Sequence, residues 1–367
     1  MKVVKFGGSS LASADAVMRA RDIVLADDER RFVVVSAPGK CRDFPKKVTD
    51  LLIDAQAELS ADDCRGADCS ESLNTVISRF ESLAAALGVE MGDEIRRTRM
   101  DLSTNCRDRD FVVSRGEYLT AILFARVLNF EFIDAANLVV IKSNGKYHEA
   151  DTRENFRRLV HKDCKYVIGG FYGRGVGGGV KTFTRGGSDY SGAIAAVCLG
   201  AREYENFTDT YGVQTANPAL VKNTRTVAEL DFATMHKLSV AGASVLHPDC
   251  LPILRKHALP LRVDNTFDPG KDFTRVGAKR ASGAGCVGKK YFCITYRLQQ
   301  NINKDMVEIL CVFNKIDPEL CDLRKVLRDI EVYLVGFRAH REFTLLAPTA
   351  NLSAVVGKVH GFMISFV

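Results

Sequence analysis

The chain has 367 residues and no tryptophan, an absence that decides nothing about function. It also lacks any run of about 18 or more apolar residues, so no membrane-spanning helix and no membrane partner are expected. No apolar leader core precedes the strand-like start, and no targeting segment is expected. Cysteine is plentiful at 11 residues, but the number is odd and no Cys-x-x-Cys occurs. The nearest cysteines, Cys64 and Cys69, do not have zinc-ligand spacing. Free thiols in a reducing cytoplasm follow, with no metal site built by the protein. A strong charge of one sign is missing too. The 51 basic and 45 acidic residues leave +6, spread along the chain. Such a surface has some pull on anions but is no nucleic-acid footprint. There is no Walker-type loop. The stretch Gly173-Arg174-Gly175-Val176-Gly177-Gly178 matches G-x-G-x-x-G literally but continues into strand-like Gly179-Val180-Lys181-Thr182-Phe183. A dinucleotide site needs a helix there, so a hairpin is expected.

What is present is a globular chain, 46% apolar and 26% charged, long enough for two domains. Met1 to Lys5 alternate like a strand, and Lys5-Phe6-Gly7-Gly8-Ser9-Ser10 follows before a helix. Glycines admit an anion to backbone N–H groups, a helix start adds positive potential, and Lys5 adds a full charge. An ordinary glycine turn after a strand would look the same in isolation. A second stretch, Thr182-Phe183-Thr184-Arg185-Gly186-Gly187-Ser188-Asp189, again runs from strand through a Gly-Gly turn into a helix of small residues. Arg185 and Asp189 flank it with opposite charges. Two such turns suit a site for an anionic donor and a zwitterionic acceptor. The bland alternative for Arg185 and Asp189 is a salt bridge across a turn, worth under about 1 kcal/mol.

These stretches resemble the signatures of the aspartate kinases, in which Thr usually stands at the position of Ser9. Also similar to that family are Val33-Val34-Val35-Ser36-Ala37-Pro38-Gly39-Lys40, Lys47-Val48-Thr49-Asp50-Leu51-Leu52 and Ser114-Arg115-Gly116-Glu117. Phe207-Thr208-Asp209 and Gly242-Ala243-Ser244-Val245-Leu246-His247-Pro248 follow in the family's order. The resemblance covers residues 1–275. It implies an α/β fold: an amino-acid-kinase-like α/β/α sandwich with a mainly parallel sheet, plus a small C-terminal α+β ACT-like domain. The domains expected are 1–275, catalytic; 276–289, a linker of small and basic residues; and 290–367, a single shortened ACT-like regulatory module where the family usually carries two.

Periodicity supports this organisation. Val3–Phe6 and Phe32–Ser36 read as strands and Ala12–Leu25 as a helix. Residues 46–102 read as helical, Glu117–Val127 as a further helix, and Leu138–Ile141 and Tyr166–Ile168 as short buried strands. After the linker, strands at Tyr291–Tyr296 and Val307–Phe313 precede a helix at Glu319–Arg328. Strands at Glu331–Phe337 and Glu342–Leu346 then lead to a helix at Leu352–Phe362.

A side-chain carboxylate has a pKa near 4 and is already ionised at neutral pH, so phosphorylating it needs no general base. The catalyst must screen two anions and align them. Lys5 is the candidate for bridging donor and acceptor, with Gly7, Gly8 and Ser9 around the phosphates. The resemblance implies that Arg185 grips the acceptor's α-carboxylate, that Glu117 and Asp189 face its α-ammonium, and that Ser36 and Thr49 add hydrogen bonds. It also places Thr208 and Asp209 on the nucleotide side and counts Asp189 with Lys5 in the catalytic set. The implied cofactors are ATP and Mg²⁺, and the implied substrate is L-aspartate. An amino-acid effector at the ACT-like domain and a homodimer are expected, with weakened or absent inhibition by lysine or threonine.

The chain departs from the family on the nucleotide side. Gln214, Asn217-Pro218 and Ala219 replace the usual tyrosine, aspartate-proline and arginine, and Ser244 replaces a frequent lysine. Lys222, Lys181 and Arg225 are candidate substitutes. His247 is read as structural. Two further functions stay open: the same fold acting on a related acidic amino acid, and a weakly active regulatory or sensor paralogue.

Overall fold

The structure, a computed structural model, describes residues 1–60, 70–183, 186–243, 245–277, 291–298, 306–314, 320–338 and 342–365. Thr184, Arg185, Ser244 and all but the first two residues of the expected linker lie outside the described residues.

The elements run β1 (Lys2–Phe6), α1 (Ala14–Leu25), β2 (Arg30–Val35), α2 (Val48–Leu59), α3 (Glu71–Leu87), α4 (Gly92–Thr104) and α5 (Arg109–Leu128). Next come β3 (Glu131–Phe132), α6 (Ala135–Leu138), β4 (Val140–Ile141), α7 (Glu149–Leu159), β5 (Tyr166–Gly169), β6 (Tyr172–Gly175), β7 (Val180–Thr182), α8 (Gly187–Cys198) and β8 (Glu203–Thr208). They are followed by β9 (Glu229–Leu230), α9 (Phe232–Val240), α10 (Cys250–Lys256), β10 (Leu261–Asn265) and β11 (Thr274–Val276). The chain closes with β12 (Tyr291–Leu298), β13 (Met306–Asn314), α11 (Leu320–Leu327), β14 (Tyr333–Arg338), β15 (Glu342–Pro348) and α12 (Leu352–Ile364).

By compactness the chain forms two units. One holds Met1–Asp209 with Lys256–Pro269; the other holds Thr210–Arg255 with Gly270–Val367. Thr210–Arg255, which the sequence groups with the first domain, therefore packs in the second unit.

In the first unit, six strands pair in the order β3-β5-β2-β1-β8-β10, all in parallel. Strands buried on both faces are expected to be continuously apolar rather than alternating, and Val3, Val4 and Phe32 to Val35 fit that pattern. One face packs on α1 and α5, where Phe6 meets Phe124 edge-on at 5.8 Å and stacks on Phe207 at 5.3 Å. On the other, Phe32 meets Phe156 of α7 at 5.7 Å. Helix α5 is buried almost all round, Arg115 and Glu117 included. The Arg115 guanidinium lies 4.4 Å from the ring centres of Phe111 and Tyr118 and 5.5 Å from that of Tyr172.

Several local expectations shift for identifiable reasons. Helix α5 begins well before Glu117 because the Asp108 side chain caps it, accepting from Phe111 N. The segment Leu138–Ile141 is only half strand: Asp134 caps a short helix through Leu138. The helical region 46–102 is broken by the left-handed Gly88, φ 65°, which ends α3. The glycine-rich 173–179 segment is the expected hairpin, β6 antiparallel to β7.

At the N-terminal ends of the central strands sits a buried ion network. Glu205 is fully buried and accepts from Lys2 Nζ at 3.1 Å and Arg30 Nε at 2.6 Å. Lys2 also pairs with Asp27 at 2.9 Å. Burial opposes the charge on Lys2, but Asp27 and Glu205 outweigh it and hold its pKa above the ordinary lysine range.

In the second unit, β12-β13-β15-β14 form an antiparallel sheet. Phe292, Ile294, Ile309, Phe343 and Leu345 on one face share a core with Val355, Val359 and Met363 of α12. A short parallel pair, β9 with β11, belongs to the same unit.

Removing one partner of a buried ion network strands the others. Glu205→Ala is expected to lower stability by about 3–5 kcal/mol in chemical denaturation, toward the lower end because Lys2 keeps Asp27 and Glu203. A loss below about 1 kcal/mol, the worth of an exposed pair, would count against this role.

Candidate active site

Lys5, Gly7, Gly8, Ser9, Ser36, Thr208 and Asp209 lie at or just beyond the carboxyl ends of the parallel strands β1, β2 and β8, the edge at which open α/β sheets hold ligands. The side chain of Lys5 lies on the face of β1 opposite Phe6 and meets α8. Its Nζ is 2.6 Å from Asp189 Oδ1. Asn206 of the neighbouring strand β8 donates from Nδ2 to the same oxygen at 3.0 Å. Asp189 lies in the first turn of α8, which is capped by Gly186 with φ 81°, a backbone state that favours glycine. The motifs put Lys5 and Asp189 in one catalytic set, and their side chains touch.

Beyond β1 the chain turns through Gly7 and Gly8 into a short 3₁₀ turn, Ser9–Leu11. Gly7 N donates to Phe207 O at 3.0 Å, so this turn is tied to β8 just before Thr208 and Asp209. Ser10 N and Leu11 N donate back to Gly7 O and Gly8 O. The amides of Gly8 and Ser9 thus head the turn with no backbone acceptor among the described residues. Gly8 is required by close approach: a Cβ there would lie 2.8 Å from Ala37 O. Ser9 is exposed, while Ser10 is buried and shares a 2.6 Å hydrogen bond with Thr266. Thr208 Oγ1 donates to the exposed Asp209 carboxylate at 3.2 Å.

On the acceptor side, Ser36 N donates to Phe6 O at 3.2 Å and Gly39 N to Gly8 O at 2.8 Å. Val48 N donates to Pro38 O at 3.2 Å, which fixes the first turn of α2 and Thr49 beside the same loop. Glu117 is only 4% exposed, and its Oε2 has no hydrogen-bond partner among the described residues. Loss of water pushes its pKa up to about 8; the Ala37 amide, its own amide and the Arg115 charge pull the other way but do not cancel the shift. Burial thus favours the neutral carboxyl. Its backbone carbonyl lies 3.0 Å from where a Cβ on Gly169 would be, and one on Gly170 would strike Ser188. The contacts form a ring: β1 turn, Gly39 loop, α5, Gly169-Gly170, start of α8, and back to Lys5. Phe171, the next residue, has φ 74°, a strained state for a bulky side chain. It is held by Ser191 Oγ accepting from its N–H at 2.9 Å and by Phe183 N donating to its carbonyl at 2.8 Å.

The remaining candidates are less closely placed. Arg185 lies outside the described residues, as does Ser244. Lys181 is engaged with Asp110 at 3.1 Å. Lys222 and Arg225 are exposed on the second unit. Gln214 donates from Nε2 to Tyr211 O and to Thr226, and Asn217 Oδ1 accepts from Ala219 N. Among the described residues no group of three or more His, Cys, Asp and Glu forms a metal cluster. No described helix is long and apolar enough to cross a membrane. No motif singles out Asn206 or Arg79. Their only signals are an amide between Glu205 and Phe207 in a buried strand, and an arginine within the apolar stripe of α3.

A profile of the Amino acid kinase family matches residues 1–265. Aspartokinase 3 of Bacillus subtilis is 34% identical over 325 residues, covering 83% of this chain and 71% of that protein. The chain belongs to the aspartokinases of the amino acid kinase family. Aspartokinase of Chlamydia muridarum is 30% identical, covering 77% of this chain and 64% of that protein. In fold, the chain is similar to the aspartate kinase of Clostridium acetobutylicum, with a TM-score of 0.83 at 22% identity. That match covers 99% of this chain and 100% of the other. Aspartokinase III of E. coli, crystallised with aspartate and ADP, gives 0.81 at 20% identity, with the same coverage. The family's α/β fold, with its mainly parallel sheet, is therefore the one expected from the motifs.

Glu117 supplies a pH test. Its raised pKa favours the fold while the carboxyl is protonated. That contribution is whole below the unfolded value of 4.5 and is lost as pH rises through about 8. Melting curves across this range are expected to show Glu117→Gln gaining on the wild type as pH rises; a constant difference would rule out a buried neutral acid.

Proposed function

We propose that this protein transfers the terminal phosphoryl group of ATP to the side-chain carboxylate of L-aspartate, giving 4-phospho-L-aspartate and ADP. This is the step that opens lysine, threonine and methionine synthesis. The observation that carries the proposal is the Lys5 ammonium, aimed by Asp189 and Asn206 at the mouth of a glycine turn whose leading amides are open. The names of the curated relatives and the aspartate and ADP in the E. coli structure support the choice of substrates.

In this reading a carboxylate oxygen of aspartate attacks the terminal phosphorus and the bond to the bridging oxygen of ADP breaks. The nucleophile gives up no proton. Lys5 offsets charge on the transferred group, and Gly7, Gly8 and Ser9 line the phosphates. Thr208 and Asp209 border the nucleotide. Ser36, Thr49 and Arg185 hold the amino acid, and Glu117 receives its ammonium, releasing its own proton to solvent as it ionises. Mg²⁺, when bound, would offset the charge of the nucleotide's phosphates; among the described residues no cluster of His, Cys, Asp and Glu is built to hold it.

We further assign catalysis to residues 1–275 and a single ACT-like regulatory role to residues 290–367, in a cytoplasmic homodimer whose modules pair through their sheets and take an amino-acid effector at the shared edge. Millimolar lysine or threonine is expected to leave the initial rate nearly unchanged; strong inhibition by either would overturn the single-module reading.

The deciding measurement is ADP release with ATP, Mg²⁺ and a panel of acidic amino acids. Release that depends on both aspartate and Mg²⁺ is expected, and Lys5→Ala is expected to slow it by on the order of 100- to 1,000-fold. An unchanged rate in that variant refutes the assignment. Preference for another acid on the panel moves the acceptor but keeps the chemistry.

A further inference from the structure

Helix α3 carries a side chain that its apolar face does not require. Arg79 is completely buried, on the same helix side as Val76, Phe80 and Leu83. Among the described residues no carboxylate pairs with it. Its donors go instead to three backbone carbonyls in three separate segments. Nη1 donates to Lys46 O at 3.2 Å; Nη2 donates to Ala12 O at 3.1 Å and to Gly39 O. The Phe44 ring centre lies 5.1 Å from the guanidinium, and Nε has no acceptor among the described residues.

Each segment leads directly to the site. Ala12 closes the 3₁₀ turn that begins at Gly8. Gly39 lies three residues after Ser36 in the loop that follows β2, and its own N–H is bonded to Gly8 O. Lys46 precedes the residue that starts α2, where Thr49 sits. Burying a cation without an anion is costly. An apolar side chain of similar length would fill the same space. It could not hold three carbonyls at fixed angles, as a planar guanidinium with five donors can.

We propose that Arg79 is a positioning residue for phosphoryl transfer. It sets the distance between the backbone that meets the phosphates and the backbone that meets the acceptor. The catalytic part of this inference rests on the function proposed above; the bracing of the loops does not. In-line transfer is sensitive to such spacing, since a displacement of about 1 Å can cost on the order of 100-fold in rate.

The test uses the full chain with Arg79→Met and Arg79→Lys, read in two ways. Hydrogen exchange of the Gly39 and Val48 amides is expected to quicken by on the order of tenfold or more in Arg79→Met, while the amides of β1 and β2 keep their protection. In steady-state kinetics, kcat is expected to fall by on the order of 10- to 100-fold with both KM values within about threefold, and Arg79→Lys to recover part of the loss. Unchanged exchange at Gly39 and Val48, or a rise in KM with kcat intact, overturns the proposal. If Arg79→Met does not fold, Arg79→Lys carries both readouts, because one ammonium cannot serve three carbonyls in that geometry. A wild type that phosphorylates no acidic amino acid defeats the proposed function instead, and the exchange measurement still decides whether Arg79 braces the loops.

Discussion

A lysine at the carboxyl end of a fully buried central strand is the constraint on which this fold turns. The Lys5 side chain is 9% exposed, and an ammonium so far from water needs an anion and defined acceptors. Asp189 is that anion, so α8 has to begin within reach of β1. This in turn requires the left-handed Gly186 and the close contact of Gly187 with Phe183 and Phe171. The charge at one strand end thus dictates where a helix far along the sequence starts.

The two ends of the same strands use charge differently. At the amino ends Lys2, Arg30, Asp27, Glu203 and Glu205 satisfy one another and leave nothing for a ligand. At the carboxyl ends the groups are incompletely satisfied. Glu117 Oε2 on α5 and Asn206 Oδ1 on β8 are buried without a hydrogen-bond partner among the described residues. Polar atoms left without partners inside a packed protein are expensive. Stability is drawn from one end of the sheet and chemistry from the other.

Much of this is legible in the amino-acid sequence itself. Lys5-Phe6-Gly7-Gly8 and Gly186-Gly187-Ser188-Asp189 announce themselves because glycine marks the places where a backbone must come close or turn left-handed. The C-terminal strands and helices are legible from alternation, which a half-buried antiparallel sheet imposes. Long-range pairings are not. Nothing local marks Asn206 as a partner of Asp189, or tells that Arg79 gathers Ala12, Gly39 and Lys46. The grouping of Thr210–Arg255 with the C-terminal strands is of the same kind, since packing partners leave no periodic trace. Helix starts shift because caps such as Asp108 and Asp134 act through one side chain that a periodicity window averages away.

Phe171 carries a last implication. An aromatic residue at φ 74° stores on the order of 1–3 kcal/mol, and its ring packs where a Cβ on Gly187 would otherwise sit. A glycine or asparagine there would relax the backbone and remove the wedge that holds the amino end of α8. Backbone ease is given up at this one position in exchange for a fixed start to α8.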